Sequence, residues 1–222
     1  MSALTLAIDA STYAASVALV QGETLLREQT VTMRNPRQER LMPAIAESLA
    51  DVGVREIERI VCGAGPGSFT SLRIAASIAK GLAVATEKPL FAISSLLLLV
   101  GGTPATHTEG RWLTLLDAMR GESFGQLIEV TSSGVIREAS ELRVVREEEI
   151  AVLARTMHAH TLGPGRAIDA APHARGVARL GAHPSLRTPV DVSSWEPDYG
   201  RLAEAQVRWE MAHGRSLNAR PE

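Results

Sequence analysis

The chain has 222 residues, 45% of them hydrophobic and 22% charged, which excludes a disordered segment and suits one large domain or two small ones. A formal charge of -2 argues against non-specific nucleic-acid binding by the whole chain, and the lone Cys62 excludes an internal disulfide or a cysteine-built zinc cage. Aromatic residues make up only 4%, so the cores rest on Ala, Val, Leu and Ile.

The opening MSALTLAIDA has no basic segment and reaches an acid too early for a secretory leader, which predicts a cytoplasmic protein. Leu4 to Asp9 reads as a buried strand ending at an acid, and Ala15 to Val20 follows at hairpin distance. Gly22 turns the chain into TLLREQTVT, whose alternation predicts a third strand with one wet face. Three strands ahead of the first helix predict an antiparallel meander instead of a pure βαβ chain.

In ERLMPAIAESLADVGV, Leu41, Ile45, Leu49 and Val52 recur at helical spacing, with Pro43 in the first turn or at a kink and Gly53 as the stop. IERIVCGAG returns to strand, with Cys62 read as a buried, inert thiol. A second helix is predicted from Thr70 to Glu87, with Ser68 or Thr70 as N-cap and Lys88-Pro89 as the stop. Its small residues Ala75, Ala76, Ala79, Gly81 and Ala83 suit close docking of another backbone better than they suit catalysis.

PLFAIS resumes a strand, and SSLLLLVGG is the most apolar stretch, though too short to cross a bilayer. The run from Gly101 to Gly110 is the expected linker, dividing a first unit of residues 1–102 from a second of 103–195. In the second unit RWLTLLDA and SFGQLIEVT pair across Met119 to Glu122, a polar strand and a helix follow, and HTLGPGRAI runs a short strand into a Gly-Pro-Gly loop. The tail, 196–222, carries Leu202, Ala205, Val207 and Trp209 in a helical pattern expected to pack back on the first unit.

Between strand and second helix stands GAGPGSFTSLRIA, either a phosphate cradle or a tight corner. Its glycines do not keep GxGxxG spacing, the GK[ST] ending is missing, and Pro66 removes an amide donor, all of which favour the corner. Asp9, with Ser11 and Thr12 behind it, reads two ways: as a residue placing a metal or water at a nucleotide phosphate, or as a turn former. The hairpin DASTYAAS has no glycine, and the matching DAMRGES has one where a phosphate wrap needs more. The histidines form no HExxH or other ligand pair, so no metal site is expected. Between Arg155 and Arg187 five arginines and four histidines face one acid, Asp169, which reads as a solvated face or as a contact for RNA or an acidic partner.

AIDAST, ERLMPAI, GAGPGSFTSLRIAASIAKGLA, AISSL and LLDAMRGESF together resemble the TsaB family, also called YeaZ, with looser likeness at LGPG and PDYGR. The resemblance implies an α/β fold of actin-like ATPase (ASKHA) architecture, built of two RNase H-like subdomains. It implies a non-catalytic subunit for forming the threonylcarbamoyl group on the N6 of a tRNA adenosine. TsaD would be its catalytic, metal-holding partner in a heterodimer, with the ATPase TsaE joining. A homodimer is expected when the partner is absent, and tRNA is reached through the complex.

Carried onto this chain, the docking surface is Glu39, Arg40, Leu41, Met42 and Ile45 with Phe69, Leu72, Ala75, Ala76, Ala79 and Leu82. Ala79→Arg is then expected to break the complex without unfolding the protein. No catalytic residue, cofactor or metal is expected, apart from a nucleotide at the partner interface. The chain departs from the family at Arg37-Gln38-Glu39-Arg40-Leu41, where HSERL is usual, and at Ser71, where glycine is usual. The rival readings are an actin-like phosphotransferase or ATPase using Asp9, and a peptidase, which needs metal ligands or an activated nucleophile.

Overall fold

The computed structural model describes residues 3–33 and 40–200. Glu39 and the expected tail helix from Leu202 to Trp209 lie outside the described residues. The first sheet comprises β1 (Leu4–Asp9), β2 (Ala14–Gln21), β3 (Thr24–Thr32), β4 (Arg59–Gly63) and β5 (Leu90–Ile93), in the order β3-β2-β1-β4-β5. The first three strands form the expected antiparallel meander, and β4 and β5 continue from β1 in parallel.

β1 is buried along its whole length because it lies between β2 and β4 with both faces covered, which is why its sequence is a continuous apolar run. β3 does not keep the expected alternation of a dry and a wet face. It is the sheet edge and almost wholly exposed, with Arg27 paired to Asp51 and Glu28 beside it, charges that discourage pairing with a foreign strand.

Helices α1 (Leu41–Ser48) and α2 (Phe69–Thr86) cover one face of this sheet. Leu41, Ala44 and Ile45 from the first, Leu49 just past its end, and Ala75, Ala79 and Ala83 from the second meet Leu6, Ile8, Val17, Leu19, Ile60 and Cys62. α1 is shorter than its sequence pattern, with Leu49 to Val52 forming a turn that Gly53 closes at φ 85 through its N–H to Leu49 O, 2.7 Å. Ser68 takes the N-cap position of α2, but its hydroxyl donates to Ser71 Oγ at 3.1 Å instead of accepting a backbone amide.

The other face of the first sheet is covered by α3 (Ser95–Gly102), the SLLLLVGG segment. Every residue of this helix is buried, because a second sheet closes over its far side. That sheet contains β6 (Gly110–Asp117), β7 (Glu122–Val130), β8 (Ile136–Glu138), β9 (Arg143–Arg146), β10 (His160–Gly163) and β11 (Ile168–Asp169), in the order β11-β10-β6-β7-β8 with β9 also on β7. One apolar cluster runs from Ala7, Val61 and Ile93 through α3 to Trp112, Leu116, Ile128 and Leu162. A helix that is apolar all round needs such a sandwich, and this one separates the two sheets.

Outside the second sheet lies α4 (Glu147–Thr156), whose Ile150 joins Leu113, Leu115 and Val145. The layers are therefore α1 and α2, first sheet, α3, second sheet, α4, which is the two-lobed actin-like arrangement the resemblance implies.

The expected linker is packed, not free. Gly101 and Gly102 are the buried end of α3, and a Cβ on Gly101 would lie 2.6 Å from Gly176 O. The missing side chain lets the turn at Ala174–Arg179 lie directly on the helix. Among the described residues, no helix is long and apolar enough to cross a membrane.

Candidate functional site

The carboxyl ends of β1 and β4 and the loop ahead of α2 form the corner where ligands of open α/β sheets bind. Asp9 ends β1 and is fully buried. Its Oδ1 accepts the Ser11 N–H at 3.1 Å and the Ser11 hydroxyl at 2.8 Å, and its Oδ2 accepts the Ser95 hydroxyl at 2.6 Å. Burial pushes the Asp9 carboxyl above its usual range, and the Ser95 and Ser11 hydrogen bonds oppose that.

The space beside the carboxylate exists because residue 63 is glycine, since a Cβ there would collide with Asp9 Oδ2. Both oxygens are thus held by the protein's own donors, joining β1, its hairpin and the start of α3. Thr12 takes no part in this cluster. Its hydroxyl and the Ala14 backbone close a local turn at 3.2 Å in each direction.

The glycine loop points its amides inward. Ala64 N–H donates to Ile93 O at 2.7 Å, Gly65 N–H to Ser95 Oγ at 3.2 Å, and Ser68 N–H to Ser11 O at 2.7 Å. A Cβ on Gly67, where φ is 156, would collide with the Ser11 carbonyl. These contacts make Gly63 to Ser68 a corner that sets α2 on the sheet, and they occupy the Ala64, Gly65 and Ser68 amides that a phosphate cradle would offer. Cys62 lies behind this corner; burial and the Asp9 charge push its thiol up, so it stays protonated and inert.

The second hairpin, Asp117 to Ser123, carries Met119, Arg120 and Gly121 at φ 65, 59 and 75, with Asp117 Oδ1 accepting the Met119 N–H at 2.7 Å. Beside it Arg166, from the Gly-Pro-Gly loop, grips Glu147 through two bonds of 2.7 and 2.6 Å, and Ser123 Oγ donates to the same carboxylate at 2.7 Å. Arg166 holds the Glu147 carboxyl at about 2, below the 4.5 of a free glutamate. Its stabilising contribution is therefore present above pH 4.5 and lost as pH falls toward about 2. Melting curves of Glu147→Gln against the parent across that range should converge at the acid end; parallel curves would show the pair to be neutral in energy.

The arginine- and histidine-rich stretch is spent largely inside the chain. Arg175 Nε donates to Gly102 O at 2.9 Å and its NH1 lies 3.3 Å from Glu28. His183 meets Glu138 at 3.2 Å, Arg179 donates to Thr106 O at 3.2 Å, and Arg187 reaches Ala182 O at 3.4 Å. These residues bind the second lobe's loops to its sheet and to β3, so the stretch as a whole is no open basic face.

The expected docking residues divide by helix face. Leu41, Leu72, Ala75 and Ala79 are 0% exposed, Ile45 2% and Ala76 5%. The first four and Ile45 cannot touch a partner through their side chains, and Ala76 offers almost nothing, which corrects that part of the assignment. The physical reason is that the alanine stripe of α2 lies against β1 and β4 of its own sheet, where small side chains let helix and strands approach. Met42 and Phe69 do reach solvent, Arg40 is exposed, and Leu82 is half-buried.

The outward face of α2 consists of Phe69, Thr70, Arg73, Ser77, Gly81, Val84 and Ala85, with Met42, Pro43 and Ala46 beside them on α1. The signal for it was present in the sequence as the complement of the inner stripe, offset by half a helical turn. Ser95, the third member of the Asp9 cluster, had no such signal. Among the described residues no group of three or more His, Cys, Asp or Glu side chains is placed to hold a metal ion.

The family model for TsaD, tRNA N6-adenosine threonylcarbamoyltransferase, matches residues 32–182. The tRNA threonylcarbamoyladenosine biosynthesis protein TsaB of Bacillus subtilis is 30% identical over 92% of this chain and 96% of its own length. The Escherichia coli protein of the same name is 33% identical over 65% of this chain and 63% of its own length. The solved structure of YeaZ from Pseudomonas aeruginosa superposes with a TM-score of 0.76 at 28% identity, covering 89% of this chain and 99% of that one. Kinship of this extent and a shared two-lobed frame lead to one conclusion: the chain belongs to the TsaB/YeaZ family, the TsaB proteins of tRNA threonylcarbamoyladenosine biosynthesis.

Proposed function

We propose that this protein is a non-catalytic subunit in the formation of the threonylcarbamoyl group on the N6 of a tRNA adenosine. It binds and stabilises a TsaD-type transferase, with TsaE joining the pair, through the outer face of α1 and α2. The observation that carries this reading is the corner at Asp9. At the place where an actin-like enzyme would hold its ligand, Ser11 and Ser95 occupy both Asp9 oxygens and the carboxylate lies against Gly63, while the outer helix face presents Met42, Phe69 and Val84 at 42%, 38% and 69% exposure. Exposed apolar side chains grouped on one face mark an interaction surface.

A partner built on the same two-lobed plan offers a matching helix pair, and in its absence a second copy of this chain takes its place. In this reading the chain works in the cytoplasm, carries no cofactor of its own, and meets tRNA through the complex. A nucleotide at the joint interface would be held chiefly by the partner.

The test is co-expression with the candidate transferase and ATPase, with modified adenosine measured in tRNA with and without this chain. Loss of the modification in its absence supports the reading, and nucleotide or peptide turnover by the purified chain alone overturns it. Gly81→Arg and Ser77→Arg probe the surface, because a Cβ at Gly81 meets open space and Ser77 is exposed. Each is expected to weaken binding about a hundredfold by placing a charge at an apolar contact, with the melting temperature preserved. Unchanged affinity in both variants would place the docking surface elsewhere.

A further inference from the structure

The segment after the last turn of the second lobe does not simply trail off. Val190 N–H donates to Leu90 O at the edge of β5, 2.8 Å, and Val190, Val192 and Trp195 pack against the first-lobe core. Pro197 is buried, and Asp198 N–H donates to Ala64 O at 2.7 Å in the glycine corner. A Cβ on Gly65 would strike the Asp198 carbonyl, so strap and corner touch backbone to backbone.

Tyr199 then lies against Phe69, the first residue of α2, with ring centroids 4.6 Å apart and planes at 49°. Gly200, at φ 68, rests on the ring of Phe124 in β7, where any side chain would collide with it. The strap therefore leaves the second lobe, crosses the first, and returns to the second at Phe124.

Phe69 is the point on which these contacts converge. Arg73, one helical turn on, places its guanidinium carbon 4.7 Å from the centre of the same ring. An exposed aromatic held by a second aromatic and by a cation loses less side-chain freedom on binding than a free one.

We propose that the 197–200 strap is a brace that pre-organises Phe69 as the anchor of the docking face, with Tyr199 as its positioning residue and Gly200 on Phe124 as its footing. The proposal rests on the docking face argued above, yet half of its test needs no partner. In the free protein, Tyr199→Ala and Gly200→Val should both shift the ring resonances of isotope-labelled phenylalanine at position 69, assigned by comparison with Phe69→Leu. Tyr199→Phe keeps the ring and should leave them near the parent positions. If Phe69 is unmoved by both changes, the brace does not exist, whatever the partner does.

With the full chain and its transferase partner, Tyr199→Ala should weaken binding about tenfold, and Tyr199→Phe should restore it. The double variant Phe69→Ala/Tyr199→Ala should bind no more weakly than Phe69→Ala alone, because the brace acts only through that ring. Additive losses would make Tyr199 an independent contact and overturn the positioning role. Should no variant or parent bind the partner, the docking reading fails while the resonance shifts still decide the brace.

Discussion

Ala79→Arg is expected to yield no folded protein, not a folded chain unable to bind. Ala79 is 0% exposed and sits with Ala75 and Ala83 against β1 and β4. A guanidinium forced there has neither water nor a carboxylate, since the buried members of the cluster around it are Leu, Ile, Val, Ala and Cys side chains. Burying an unpaired charge costs about 3–5 kcal/mol, and overpacking a dense core adds about 1–3 kcal/mol. The sum, about 4–8 kcal/mol, matches or exceeds the whole margin of a chain near the low end of the usual stability of about 5–15 kcal/mol. Soluble yield and circular dichroism check it, with Ser77→Arg on the opposite face as the control. A cooperatively melting Ala79→Arg chain within a few degrees of the parent would mean that α2 can lift from its sheet.

Asp9→Ala is the second large effect. The substitution leaves the Ser11 amide, the Ser11 hydroxyl and the Ser95 hydroxyl without their acceptor in a buried cluster, and it opens a void facing Gly63. A buried donor left unpaired costs about 1–3 kcal/mol, so the loss should reach about 3–5 kcal/mol once the surroundings relax. Asp9→Asn keeps the shape and an acceptor for Ser11, and should cost far less.

The two side chains also separate by pH. Burial raises the Asp9 carboxyl above its unfolded 3.8, so its contribution is complete below that pH and is lost as pH rises through the folded value. Urea unfolding of parent and Asp9→Asn from below pH 3.8 upward should show the parent losing ground as pH rises. The opposite slope would mean that the three donors outweigh burial and that Asp9 is preferred as the anion. An Asp9→Asn chain with normal stability that still supports tRNA modification would agree with a structural tie, because a metal-holding aspartate does not tolerate the amide.

Much of the frame is legible in the residues, for identifiable reasons. β1 reads correctly because a strand covered on both faces must be apolar throughout, and the β6 to β7 hairpin because two apolar runs flank a short polar turn. α2 reads to within a residue at each end, since Pro89 and the glycine corner punctuate it. β3 misleads because the alternation in TLLREQTVT looks like that of a half-buried strand, yet the strand ends the sheet and even Leu25 and Leu26 stay exposed, at 38% and 43%.

What the sequence by itself determined was the periodicity of the elements, their order, and the family likeness in GAGPGSFTSLRIAASIAKGLA. What only the tertiary structure decided was which surface each pattern faces. An alanine stripe permits close approach to any backbone, so it cannot say whether that backbone is a partner's helix or the chain's own β1 and β4. SLLLLVGG fits a core strand or helix equally until two sheets enclose it. Asp9 stayed open between turn former and ligand holder because the donor that decides it, Ser95, lies 86 residues away in the chain. Local pattern records how apolar a position is; the identity of its neighbour is a property of the folded packing.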